Sequence, residues 1–206
     1  MIAGLTTMTI RVTLVISLAV TAMIAVVAAS AASDAPAGWS FGPEEDAVIE
    51  IGQRFDCDGA DCPEDLSCLY ALGPPRPPGS WWIDTEFMLD AKRMPWKDVE
   101  FWLVEKAKGL RPTLANDPLV RSDRFASSTE PKAETMPSGE YVVRRYVIAG
   151  KRQGFDLSAY LWNVKGRMSI VACLRPASGS ALRTVSSQVQ DLLAFLRSGE
   201  KKLVSQ

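Results

Sequence analysis

No histidine occurs anywhere in the sequence. Its absence removes the Ser-His-Asp and Cys-His nucleophile systems, and with them histidine-ligated zinc, copper and haem. Net charge is scarce as well: 23 Lys and Arg stand against 24 Asp and Glu, a formal balance of −1. A surface so nearly neutral gives no electrostatic reason to expect nucleic acid or an anionic membrane as partner. Cysteine is limited to four residues with no Cys-x-x-Cys among them, which argues against a dithiol oxidoreductase. The chemistry that survives is carboxylate pairs, Ser-Lys dyads and bare thiolates, each of which needs convergent geometry. Expectation therefore moves from catalysis toward binding.

Long apolar runs are confined to the beginning. Residues 1–31 carry a single charge, Arg11, followed by an apolar run from Val12 to Val27 and the small-residue string Ala28-Ala29-Ser30-Ala31-Ala32. This is the pattern of a secretory signal peptide, with cleavage expected after Ala31. The alternative is an uncleaved anchor, for which the run is short of the ~20 residues that span a hydrocarbon core unless the following alanines are counted. The mature chain, residues 32–206, then carries −2. It has the length of one exported domain with its own core, expected in the periplasm or outside the cell and not stably embedded in a membrane.

In an exported chain, four cysteines mean first of all two disulfides. Cys57, Cys62 and Cys68 lie in one stretch with the carboxylates Asp56, Asp58, Asp61, Glu64 and Asp65, and Cys173 stands alone in the second half. The pairing Cys57 with Cys62 and Cys68 with Cys173 is favoured, because the first closes a small acidic loop and the second joins two strand-like segments. Pairings of Cys173 with Cys57 or Cys62 remain open. The carboxylates around Gly59 are raw material for calcium, but the glycine comes too early for an EF-hand and Cys57, Cys62 and Pro63 interrupt the ligand positions. No metal and no cofactor are expected.

Along the chain, Ile49, Ile51 and Phe55 share a face of a first strand over 47–55, residues 66–72 read as a short second strand, and 73–79, with four prolines, as a stiff connector. From Trp81 to Asp90 apolar and polar residues alternate, which predicts a strand covered on one side. On that reading Trp82, Asp84 and Glu86 are candidate ligand or partner contacts. Asp84, Glu86 and Asp90 would also be the clustered carboxylates of the rival class, a histidine-free hydrolase. Pro95 in a first turn, with Val99, Trp102, Leu103, Ala107 and Leu110 at helical spacing, predicts a helix over 96–108 stopped by Gly109. Residues 111–140 show no clean period and are expected to form a long loop, either a lid or partner-contact segment or a plain excursion, with room for a helical turn over 119–125.

The second half predicts an antiparallel meander over 141–149, 155–164 and 167–175, with turns at 150–154 and Lys165-Gly166. Phe155, Leu157, Ala159 and Leu161 share one face, as do Met168, Ile170, Ala172 and Leu174, so Tyr160, Trp162 and Cys173 point to the other. Arg144 and Arg145, adjacent on the first of these strands, face opposite ways and are candidate contacts for an acidic partner. Leu182, Val185, Val189, Leu192, Leu193 and Leu196 mark an amphipathic helix over 181–197, after which the tail is expected to fray. The class is α+β: an antiparallel sheet of about six strands with two packed helices, stapled by disulfides. The block from Tyr141 to Arg197, a meander with a glycine turn closed by a helix, resembles the Mog1/PsbP-like family of secreted and periplasmic accessory proteins. That resemblance implies a noncatalytic accessory role, and the expected partner is an unidentified envelope protein or small ligand.

Overall fold

The structure, a computed structural model, describes residues 35–42, 51–73, 83–115, 125–177 and 185–203. The chain divides into two units, Met1–Asp34 and Ala35–Gln206, and the described residues all belong to the second. The expected leader, Trp82, the proline run and most of the expected turn over 119–125 fall outside the described residues.

The elements in chain order are β1 Trp39–Phe41, β2 Ile51–Cys57, β3 Ser67–Leu72, α1 Thr85–Leu89, α2 Trp96–Leu110, α3 Pro112–Ala115, β4 Ser127–Ser128, β5 Lys132–Met136, β6 Gly139–Ile148, β7 Phe155–Val164, β8 Arg167–Pro176 and α4 Ser187–Leu203. The strands form one sheet in the order β1-β2-β3-β8-β7-β6-β4, with β5 also paired to β6, and every pairing is antiparallel. The α+β class and the meander β6-β7-β8 follow the sequence closely. At the β7–β8 turn both central residues take positive φ, Lys165 at 47° and Gly166 at 82°, the combination a two-residue hairpin needs to match the twist of its strands.

The counts differ from expectation. Among the described residues, eight strands replace about six and four helices replace two. Within the expected strand over 81–90, Thr85–Leu89 form α1 instead: the Asp84 carboxylate accepts a hydrogen bond from the Phe87 backbone N–H at 2.7 Å and caps the helix, while Met88 turns into the core. Local capping here prevails over a period-2 pattern. Asp84→Ala is expected to remove about 1 kcal/mol of stability, read as a lower urea midpoint at unchanged m-value.

The expected long loop over 111–140 contains α3, β4 and β5. β5 is mostly exposed and so lacks apolar alternation, but it pairs with β6 in register from Lys132↔Val143 to Met136↔Gly139. Gly109 does not end α2, which runs on to Leu110 with Arg111 as its C-cap. α4 begins later than expected, behind Ser186, whose hydroxyl accepts from the Val189 N–H. It also continues through Gly199 instead of fraying.

One core lies on each side of the sheet. Ala159, Leu161, Val142, Ile170 and Leu174 meet Leu103, Val104 and Ala107 of α2 on one face. On the other, Tyr160, Trp162, Val143 and Val171 meet Val189, Leu192, Leu193 and Leu196 of α4. Both faces of the meander are thus covered, as the alternation of its apolar rows implies.

Both disulfides form in the favoured pairing, Cys57 with Cys62 and Cys68 with Cys173. The second joins β3 to β8 at residues directly opposite in register. The first closes a loop that folds against Gly38. There Gly59 approaches so closely that a Cβ would lie 2.9 Å from the Gly38 Cα, and the Gly38 carbonyl accepts from the Asp58 and Gly59 N–H groups.

Candidate functional site

Among the described residues a small cleft lies on the α4 side of the sheet, at the head of that helix. Its floor follows from strand register. Arg145 of β6, Ser158 of β7 and Cys173 of β8 are consecutive cross-strand partners, and one step along the sheet Asp156 lies opposite Arg175. The period of two puts Arg145, Asp156, Ser158, Tyr160, Cys173 and Arg175 on the same face. Leu66, Val185 and Val189 close an apolar side, and Ser186 brings the start of α4 to the rim.

Electrostatically the cleft is mixed. The Arg145 guanidinium binds Glu134 of β5 through both terminal nitrogens, at 2.6 and 2.9 Å, and this pairing holds its pKa above the ordinary arginine value. Asp156 is buried at the floor. Burial pushes the Tyr160 phenol pKa up, while Arg145 and Arg175 both act in the opposite direction. Two guanidiniums therefore converge electrostatically on one phenol at the bottom of the cleft.

Burial raises Tyr70 and Tyr146 too, and at Tyr70 the hydrogen bond to Glu200 adds to the effect. All three phenols exceed the ordinary value of 10.0 in the folded chain. The stability they contribute is thus fully present below about pH 10 and is lost as pH rises past it, by up to ~1.4 kcal/mol per pH unit for each. Urea unfolding between about pH 9 and pH 11 is expected to show a steep fall above 10. A flat profile would contradict the burial of these rings.

The other sequence candidates do not join the cleft. Asp84 and Glu86 are exposed on α1, Asp84 is occupied as its cap, and Asp90 accepts from the Lys92 N–H. The carboxylates proposed for a hydrolase are therefore not gathered on a strand face or in a pocket. Arg144 and Arg145 do face opposite ways. Arg144 binds Glu100 of α2 at 2.8 Å and stacks over Trp96 and Tyr146, 4.9 and 5.2 Å from their ring centroids. With its guanidinium carbon over the buried ring, Arg144 makes a cation–π contact with Tyr146.

The acidic loop is dispersed over separate partners. Asp56 takes Arg54 and Ser67, Asp58 accepts from Ser40, and Asp65 meets Arg111. Among the described residues no group of three or more His, Cys, Asp or Glu is placed to hold a metal ion. No helix among them is long and apolar enough to cross a membrane.

Sequence reading missed most of the cleft, because its lining comes from three neighbouring strands whose partners are fixed only by register. It also missed Glu200. That residue, expected in a frayed tail, is buried at 4% exposure and accepts hydrogen bonds from Tyr70, Ser169 and Trp162. Its sequence surroundings, Gly199-Glu200-Lys201-Lys202, carry no signal of burial.

No family model matches the chain, and no curated protein matches it. Among solved structures it is similar to the Ran-binding protein Mog1p of Saccharomyces cerevisiae, at 13% identity over 81% of this chain and 84% of that one with a TM-score of 0.35. A mutant of protein Mog1 matches at 12% identity over 80% and 84% of the two chains, with a TM-score of 0.32. At that level of similarity neither the fold nor a function is assigned from the likeness.

Proposed function

We propose that this protein is an exported, noncatalytic accessory protein of the cell envelope that binds a partner protein through the cleft at the head of α4. The observation that carries the reading is the cleft itself. It joins an apolar side to a charged floor, and its enclosed volume is about 20 Å³, where one water needs roughly 10–15 Å³ in the same measure. A space on that scale accepts the tip of a side chain and is too small for a whole metabolite. Export is supported by the leader pattern of residues 1–31 and by two disulfides in a chain with no free cysteine among the described residues.

A photo-crosslinking amino acid at Val185, on the apolar side of the cleft, tests the reading in cells, with one at the exposed Phe101 of α2 as control. A discrete crosslinked partner is expected from position 185 and not from 101, and it should vanish when Val189→Trp fills the cleft. Equal products from both positions, or products indifferent to Val189→Trp, would overturn it. Mass spectrometry of the same purified protein should give a mature chain beginning after Ala31; an intact leader would instead make residues 12–31 an uncleaved anchor.

A further inference from the structure

We propose that the Cys57–Cys62 bridge is a redox latch, which a dithiol opens by reduction, freeing β1 and reshaping the cleft at the head of α4. The latch goes beyond the partner-binding reading and does not depend on it, since every step concerns this chain alone. The two disulfides differ in access. Cys68 and Cys173 are buried, whereas Cys57 and Cys62 are half-buried in a loop whose residues Asp58, Ala60, Asp61, Glu64 and Asp65 are exposed. Exchange begins when a thiolate attacks a disulfide sulfur, so its rate depends on access to that sulfur. The short bridge is open to attack and the long one is shielded.

In the exchange, one thiolate of the dithiol bonds to a sulfur of the bridge and breaks the Cys57–Cys62 bond. The second thiol then displaces that sulfur and closes the dithiol's own disulfide. Two electrons and two protons pass to the protein, which is left with thiols at Cys57 and Cys62.

The bridge orders a turn that grips the start of β1. Cys62 Sγ accepts from the Gly59 N–H at 3.2 Å, and the Gly38 carbonyl accepts from the Asp58 and Gly59 N–H groups at 2.9 and 3.1 Å. A Cβ at Gly59 would stand 2.9 Å from the Gly38 Cα and 3.6 Å from that Sγ, so the sulfur sits where the two glycines meet. Sulfurs bonded at about 2 Å must part once reduced, and the exposed turn regains conformational freedom. β1 has only three residues, at one end of the strand order, so few ladder bonds oppose its release.

Two short routes lead from the bridge to the cleft. Gly38 runs directly into Trp39, which is buried in the α4-side core and donates its indole N–H to the Gln188 carbonyl at 3.2 Å, next to Val189 of the lining. By the other route, the Cys57 N–H donates to the Leu66 carbonyl at 3.0 Å, and Leu66 belongs to the apolar side of the cleft.

The full chain, expressed with its own leader and purified with its disulfides intact, is treated with increasing dithiothreitol, an uncharged dithiol. Alkylation and mass spectrometry then locate the thiols. A two-thiol species labelled at Cys57 and Cys62 alone is expected first, with Cys68 and Cys173 labelled only on unfolding. In that species, two-dimensional NMR should show the Trp39 indole N–H exchanging with solvent at least about tenfold faster than in the bridged chain, and the Leu66 and Val189 amides shifted. Cys57→Ser with Cys62→Ser should reproduce this spectrum without reductant.

Four thiols appearing together would overturn the latch. So would a two-thiol parent chain whose Trp39 exchange and Leu66 and Val189 amides match those of the bridged chain, a result that does not depend on whether the double-serine variant folds. Loss of the crosslink at position 185, in contrast, bears on the partner-binding reading alone.

Discussion

Replacing Cys68 and Cys173 together by alanine is expected to lower the unfolding free energy by about 5 kcal/mol. The bridge closes 105 residues of sequence. In the chain-entropy account, a loop of that length costs the unfolded chain more conformational freedom than any short clip can. It also sits where the two halves of the domain meet. β3 pairs with β8 in six consecutive positions, from Ser67↔Leu174 to Leu72↔Ser169, and this seam carries β1 and β2 onto the meander. Both cysteines are buried, at 0% and 4% exposure, so alanine also leaves a space where two sulfurs packed.

The Cys57–Cys62 bridge is the internal control, because its sequence separation is 5 and the same relation gives only about 2 kcal/mol. Guanidinium unfolding of the two double-alanine proteins should rank them in that order, with the long-bridge variant near the limit of stable folding. A loss below about 2 kcal/mol for Cys68 and Cys173 would show that the unfolded chain already holds the two segments together.

The pairing of the cysteines was legible because geometry leaves few choices: three thiols near one strand start and a fourth on a strand predicted by its own periodicity. The meander was legible for a related reason. β7 and β8 each carry one wholly apolar row, Leu157, Ala159 and Leu161 in the first and Ile170, Ala172 and Leu174 in the second, and Lys165-Gly166 has the backbone freedom the turn demands. Where a segment has no such row, sequence fails. β5 is exposed along most of its length and exists because β6 offers it an edge, a cause that its own residues do not carry. Residues 81–90 fail differently, since their alternation fits a strand while Asp84, Thr85 and Glu86 also begin a helix well, and the cap decides. The cleft depends on which strand lies beside which. Of its charged lining only Arg145 could be singled out beforehand, and its link to Glu134 required β5 to be found first.

Glu200→Ala is expected to cost about 4 kcal/mol, for a residue six positions from the end of the sequence. Its Oε1 accepts from the Tyr70 hydroxyl at 2.5 Å and the Ser169 hydroxyl at 2.6 Å, and its Oε2 accepts from the Trp162 Nε1–H at 2.7 Å. These donors come from β3, β8 and β7, so one carboxylate fixes the last turns of α4 across three strands. Alanine leaves three donors in a space closed to water, and the unmade hydrogen bonds dominate the cost.

Glu200→Gln separates charge from shape. Its amide oxygen can still accept from Trp162, and the hydroxyls of Tyr70 and Ser169 can rotate to accept from its NH2, so a loss of about 1–2 kcal/mol is expected. The phenol of Tyr70 supplies an independent readout. Burial is the largest cause of its raised pKa and the Glu200 hydrogen bond the next. In the alanine variant, ultraviolet titration should therefore show Tyr70 ionising at lower pH than in the parent chain, yet still above an exposed tyrosine. A Glu200→Ala protein as stable as the parent, with its tyrosine titration unchanged, would mean that α4 is held by Val189, Leu192, Leu193 and Leu196 alone.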